Sequence, residues 1–344
     1  MIRLRRPAHA VLAFCFAVLL SSCAASAPKE YSRSEYVLGT ACAIRLVGGG
    51  DERLLDRVFA RLKEIEDELS VNKPASRIDA VNDAAGLAPV AAGSDAVAIL
   101  RRDLQLSAWS DGAFDPSVGP LVKLWGIGTD HARLPGPGEI AAAKALVGWK
   151  DIVLDESKGT VFLKRKGMAL DLGSTSKGYA ADEVAAIVRA AGVKGAVIDL
   201  GGNIYVVGSR PDGKKWRIGL QDPFSAERGA YLGVASLADQ TMVTSGVYER
   251  YFIKDGVRYH HIFDTRTGYP VQNGLMSVTI VTPKSFDADG FTTAIFALGR
   301  ARGMALAAEK GVDVIVVDKD RKVYMSPGVS TYFEITDPSF SLAE

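Results

Sequence analysis

The sequence predicts a single α+β domain of mixed and antiparallel sheets with helices interspersed among the strands. Three observations carry that expectation. The chain has 344 residues, 48% of them hydrophobic and 24% charged, which is ordinary globular composition with length enough for a sizeable core. Period-2 and period-3.6 apolar patterns alternate irregularly along it. No internal repeat, low-complexity block or linker interrupts the body.

Taken in order, Tyr36–Val47 alternates as a strand and Gly48-Gly49-Gly50 follows it. Leu54, Leu55, Val58, Phe59, Leu62, Ile65 and Leu69 keep a helical period from about Asp51 to Leu69. Strand, glycines and helix suggest a dinucleotide fingerprint, but Arg53 stands where the third glycine belongs, so the glycines read as a turn. A second helix spans Ser94–Trp109, capped by Ser94 or Asp95. Asp111–Gly128 is a loop with an apolar centre, and Ile140–Leu146 a short helix. Strands follow at Ile152–Leu154 and Thr160–Leu163, then a helix from Lys177 to Ala191 stopped by Gly192. Further strands are Gly195–Asp199, Ile204–Gly208, Lys215–Leu220, Tyr231–Ser236 and Tyr251–Phe252, with a hairpin-like pair flanking Asp255-Gly256. Met276–Val281, a helix near Asp287–Leu298, and strands Val314–Val317 and Val323–Met325 close the chain.

The N-terminus differs in kind. Met1–Arg6 is a basic segment, Ala10–Leu20 an apolar one of signal-peptide length, and Leu20-Ser21-Ser22-Cys23 resembles a bacterial lipobox. The expected organisation is a lipoprotein signal peptide at 1–22, a tether at 23–34 beginning with lipidated Cys23, and a folded domain at 35–344. An ordinary signal peptide with an incidental cysteine is the alternative. Lipidation would fix the protein to a membrane on the periplasmic face of a bacterial envelope. Cys42 is then the one cysteine in the mature body, which leaves no internal disulfide. Few cysteines and histidines also exclude a zinc cluster and point any metal to oxygen ligands. The net charge of +1 asks for no nucleic acid.

Three segments carry chemistry. In Asp171-Leu172-Gly173-Ser174-Thr175-Ser176-Lys177-Gly178-Tyr179-Ala180-Ala181-Asp182 a small-residue turn feeds a helix whose first turn holds a lysine, which suits a diphosphate; a solvated surface lysine is the alternative. Asp289 and Thr293 lie four apart on one helix face, a partial shell for Mg²⁺ or a plain helix cap. His260-His261 offers an imidazole base beside Ile262–Gly268, or a structural edge-strand pair.

These segments, with Leu38-Gly39-Thr40, Gly112-Ala113-Phe114-Asp115-Pro116-Ser117, Asp199-Leu200-Gly201-Gly202-Asn203 and Thr244-Ser245-Gly246, occur in the order seen in ApbE flavin transferases. The chain resembles that family from about Tyr36 onward. The resemblance implies a T-fold-related ApbE fold and transfer of FMN from FAD to a protein threonine or serine, with AMP released. It implies FAD contacts at Leu38, position Asn72, Ala113, Phe114, Asp115, Asp171, Lys177, His261 and Ile262. It places Mg²⁺ on Asp289, Thr293 and the Ser174 carbonyl, with Lys177 and Asp289 serving catalysis and His261 as the general base. The acceptors it implies are exported or membrane redox subunits like those of Nqr and Rnf complexes. Two departures stand out: Leu38 replaces a methionine, and Asn72 replaces an aromatic that would stack on FAD. The second predicts looser FAD and some hydrolysis to FMN and AMP beside transfer. A FAD diphosphatase alone and a non-catalytic FAD-binding lipoprotein are the rival functions.

Overall fold

The structure is a computed structural model and describes residues 29–71, 73–227 and 229–343. The signal segment, Cys23 and Asn72 lie outside the described residues. A hairpin opens the fold, β1 (Glu30–Val37) and β2 (Thr40–Val47), followed by α1 (Glu52–Leu69), α2 (Arg77–Asp83), β3 (Val90–Ala91), α3 (Ser94–Trp109), α4 (Gly119–Trp125) and α5 (Pro137–Lys144). Strands β4 (Ile152–Asp155) and β5 (Thr160–Leu163) lead to α6 (Ser176–Ala190). Next come β6 (Gly195–Leu200), β7 (Asn203–Gly208), β8 (Trp216–Gln221), β9 (Tyr231–Leu237), β10 (Gln240–Gly246) and the hairpin β11 (Tyr251–Lys254) with β12 (Val257–His260). The remainder is β13 (Leu275–Thr282), α7 (Ser285–Leu298), α8 (Arg300–Lys310), β14 (Asp313–Asp318), β15 (Lys322–Met325), β16 (Phe333–Ile335) and β17 (Ser341–Leu342).

A nine-stranded sheet in the order β1-β2-β6-β7-β10-β13-β14-β15-β17 is the frame, antiparallel except for the β15–β17 pair. Its two faces are sorted by the period-2 alternation of its strands. Cys42, Ile44 and Leu46 of β2, Ala196 and Ile198 of β6, and Val207 of β7 join one core with α1, α3 and α6. Val47 and Val206, one residue out of step, join the other core under the three-stranded sheet β16-β9-β8. The result is helices, sheet and a smaller sheet in layers, the α+β class that the sequence predicts.

Several local expectations change. The strand expected at Tyr36–Val47 is two strands, because Leu38 (φ 56°) and Gly39 (φ 67°) both adopt left-handed backbone and reverse the chain in a tight turn. Glu30–Arg33, read as tether, belong to β1 and pair with Arg45–Val47 and Ile44. Neither Ser94 nor Asp95 caps α3. Its N-cap is Gly93, and the Glu68 carboxylate of α1 accepts the Ala96 N–H at 2.8 Å instead. Asp95 is drawn off into a bidentate pair with Arg61 and accepts the Tyr179 hydroxyl. The Asp111–Gly128 loop contains α4, whose Leu121 and Trp125 are fully buried. Helices α2 and α8 and strand β10 had not been anticipated from the pattern.

Candidate active site

Helices α6 and α7 cross at their closest at Gly178. A Cβ there would lie 2.3 Å from the Ser285 carbonyl oxygen and 2.7 Å from Asp289 Cβ, so a glycine is needed for the crossing. The contact lets the Gly178 N–H donate to Asp289 Oδ2 at 2.8 Å, and Lys177 Nζ stands 3.9 Å from the same oxygen. Lys177 also donates to the Gly173 carbonyl at 3.1 Å, which folds its side chain back over the turn. Asp289 is 5% exposed. Burial raises its pKa, and Lys177, the Gly178 N–H and Asn203 oppose the rise. The Asn203 amide nitrogen nevertheless has no hydrogen bond of normal geometry, so its help to Asp289 is electrostatic. Its amide oxygen accepts the Ser285 hydroxyl at 2.7 Å.

Thr293 follows Asp289 by one turn and is partly exposed, as is Ser174 in the turn before α6. Among the described residues no cluster of three or more carboxylate, histidine or cysteine side chains could hold a metal. One buried carboxylate, a hydroxyl and a carbonyl at a lysine-bearing helix start do fit Mg²⁺, which prefers hard oxygens and completes its shell with water and substrate phosphate. Asp171 shapes that turn: its Oδ1 accepts the Gly173 N–H at 2.9 Å, and its own N–H donates to the Pro116 carbonyl at 2.9 Å.

The two histidines divide their roles. His260 is 2% exposed; its Nε2 lies 2.7 Å from the Val271 carbonyl, and its Nδ1 accepts the Ile262 N–H. Burial pushes its pKa down to about 4. With both nitrogens engaged, His260 is structural. His261 Nδ1 faces the Arg250 carbonyl at 3.3 Å, which assigns the proton to Nδ1 and leaves Nε2 unprotonated. Burial first, then the Arg250 guanidinium and, more weakly, Lys177, push its pKa down to about 3. His261 is partly exposed, and its imidazole is neutral at pH 7.

The Gly112–Ser117 turn is closed by bonds to its own aspartate. Asp115 Oδ1 accepts the Ser117 N–H and hydroxyl at 2.8 and 2.6 Å, and Oδ2 accepts the Trp149 N–H at 2.8 Å. Phe114 is 2% exposed in the α7 core. Both side chains are engaged or buried; Gly112 and Ala113 are partly exposed, and contact with a ligand there falls to the backbone. The turn is pinned to the histidine loop by Thr265 Oγ1 donating to the Gly112 carbonyl at 2.6 Å, and Trp125 Nε1 bonds Gly268 at 3.0 Å. Ile262 is buried and works through its backbone. Leu38 tops the β1–β2 turn, where the Gly39 N–H reaches Glu66 Oε1 at 3.2 Å. Lys177 and Asp289 thus meet at the α6–α7 crossing, with Lys177 near enough to His261 to act on its charge, while the Phe114, Asp115 and Ile262 side chains are buried.

Two residues near the site escaped the sequence reading. Asp103 on α3 is fully buried, accepts the Thr175 hydroxyl at 3.2 Å through Oδ2, and leaves Oδ1 without a partner. Burial raises its pKa well above the ordinary range. A signal existed: Asp103 sits on the same stripe as Ile99 and Leu106, an acid on an apolar helix face. Arg250, which orients His261, had no signal at all.

The ApbE family profile matches residues 38–316. A FAD:protein FMN transferase of Klebsiella pneumoniae is 39% identical over 317 residues, covering 92% of this chain and 98% of the relative. One of Treponema pallidum is 37% identical, over 95% of this chain and 96% of the relative. Among solved structures, the flavin transferase ApbE from Vibrio cholerae superposes with a TM-score of 0.80 at 28% identity, over 89% of this chain and 99% of that one. The Thermotoga maritima ApbE protein gives 0.80 at 27% identity, over 90% and 100%. With most of its length matched in sequence and in fold, the chain belongs to the ApbE family.

Proposed function

We infer that the chain is a FAD:protein FMN transferase and that Lys177, Asp289 and His261 carry its chemistry. The observation that carries this reading is the α6–α7 crossing, which sets a buried carboxylate, a lysine and a helix start around one point beside a neutral histidine. In the reaction the acceptor hydroxyl oxygen attacks the phosphorus on the riboflavin side of FAD. A new P–O bond forms to the threonine or serine, the bond to the AMP phosphate breaks, and AMP leaves. His261 Nε2 takes the hydroxyl proton, and the Arg250 carbonyl on Nδ1 steadies the imidazolium that results. Lys177 and the start of α6 hold the diphosphate and offset the charge that grows on the leaving AMP phosphate. Asp289, Thr293 and the Ser174 carbonyl would hold Mg²⁺, which supplies Lewis-acid neutralisation of the phosphate oxygens.

The finer assignments follow from the sequence. Lipidation at Cys23 would tether the enzyme to a membrane on the periplasmic side, where its acceptors would be exported or membrane-bound redox subunits. The test is incubation with FAD, MgCl₂ and candidate acceptor subunits, read by in-gel flavin fluorescence and AMP release. A fluorescent acceptor with equimolar AMP is expected; AMP without labelled acceptor would make the chain a FAD diphosphatase. In the same cells a Cys23→Ser variant should move the protein from the membrane fraction to the soluble one, and its staying there would refute the anchor.

A further inference from the structure

The start of α6 lacks a feature its sequence would ordinarily supply. Thr175 is the N-cap residue, one of the types that close a helix start by accepting a first-turn N–H. Here its side chain makes no such bond. The hydroxyl is turned away to Asp103 Oδ2, at 3.2 Å, with the Leu172 carbonyl at 3.4 Å. The Lys177 N–H correspondingly finds no acceptor among the described residues. Asp103 is costly where it stands. It is wholly buried on the α3 face that carries Ile99 and Leu106, and its second oxygen has no partner. Leu106, one turn further, is packed so tightly that a Cβ on Gly290, next to Asp289, would meet it at 2.3 Å. Helix α3 therefore packs against α7 through Leu106 and holds the turn before α6 through Asp103.

We propose that Asp103 is a positioning residue for flavin transfer, which holds the Thr175 hydroxyl and with it the Leu172–Thr175 turn, so that the Lys177 N–H at the start of α6 is free to meet the FAD diphosphate. That turn also carries the Ser174 carbonyl, read above as a ligand for Mg²⁺. Asp103 touches neither substrate nor reacting atoms and acts only through Thr175. The proposal rests on the reading of this site as the one that binds FAD with Mg²⁺.

The test measures FAD binding by flavin fluorescence over a MgCl₂ titration, in the intact protein and in four variants. Asp103→Val, which removes the acceptor, should weaken FAD binding about tenfold and raise the half-saturating Mg²⁺ by a similar factor. Thr175→Val is isosteric and keeps the question answerable should Asp103→Val fail to fold; it should show the same loss. Asp103→Asn keeps an acceptor oxygen for Thr175 and should stay within about threefold of the parent. Parental binding in Thr175→Val, or a full loss in Asp103→Asn, would overturn the proposal. Asp289→Ala separates the two levels of inference. If it loses Mg²⁺-dependent binding while Asp103→Val and Thr175→Val keep it, the positioning role alone fails. If Asp289→Ala keeps it as well, the site itself is misplaced.

Discussion

The Gly112–Ser117 turn and the junction of α3, α6 and α7 each bury aspartates, and they treat them in opposite ways. At the turn, three donors converge on Asp115 and leave neither oxygen idle. At the junction, Asp103 keeps an unpartnered oxygen, and Asp289 has one backbone N–H and a lysine at 3.9 Å. Burial raises the pKa of all three. A saturated buried acid is a fastener, since its removal strands the donors around it. An unsaturated one stores unfavourable energy that a cation or donor from outside can release, which is what a binding site requires.

The largest test of that contrast pairs Asp289→Ala with Asp115→Ala. The first should cost transfer on the order of a thousandfold or more, as loss of charge stabilisation at the phosphates requires. Its effect on thermal stability should stay within about 1 kcal/mol, because a buried acid is relieved while one N–H is left open. Asp115→Ala should do the reverse. Three donors lose their acceptor, so unfolding should become easier by about 3 kcal/mol, with transfer per folded molecule changed severalfold at most. Denaturant midpoints beside in-gel fluorescence rates decide it; equal activity losses in both variants would erase the distinction.

A second test applies the same logic to neighbouring histidines. His261→Ala should slow transfer at least about a hundredfold and leave the midpoint little changed. His260→Ala breaks the bond to Val271 and the edge-on contact with Phe296, and should cost about 2 kcal/mol of stability while the folded fraction still transfers. Because the His261 pKa is lowered, its Nε2 stays a base, and its own titration should not reduce the rate between pH 8 and 5. A rate that halves near pH 6.5 in the parent and is flat in His261→Ala would contradict the assignment.

What the sequence could reveal divides along the same line. The amphipathic stripe of α1 places every one of its buried residues, from Leu54 to Leu69, because a 3.6-residue period records burial directly. The ordered motifs locate Lys177, Asp289 and His261. They do not say whether a motif side chain faces outward or inward: those of Phe114 and Asp115 are turned into the core, which leaves the backbone of the turn for any contact with FAD. That distinction depends on partners distant in sequence, such as Trp149 for Asp115 and Arg250 for His261. The Leu38-Gly39 reversal was hidden because β1 and β2 have compatible alternation on either side of it. Helix α8 was hidden because it begins directly after Gly299, with no side-chain cap to announce it.

The smallest effect concerns a third way of burying an acid, neither saturated nor left open. Asp182, at the end of the α6 motif, accepts the Ser285 and Phe286 N–H groups at 2.8 and 3.1 Å and so caps α7 ahead of Asp289. Burial outweighs those bonds and raises its pKa from 3.8 to about 6. The native state therefore holds a proton there more readily than the unfolded chain does. That contribution to stability is present at low pH and is lost as pH rises through about 6. His260 works with the opposite sign in nearly the same window. Its pKa falls from 6.5 to about 4, so its contribution is present above 6.5 and is lost as pH drops toward 4. Each is worth on the order of 2 kcal/mol, and between pH 6.5 and 4 they offset one another. The parent should consequently lose little stability over that range through these two groups. Asp182→Asn removes the acid that compensates and should make the denaturant midpoint fall more steeply with acid, by up to about 2 kcal/mol across the window. The slope is the readout, since loss of one capping bond lowers stability equally at every pH. Parallel slopes in parent and variant would show that Asp182 titrates alike in the folded and unfolded chain, and that its two N–H bonds balance its burial after all.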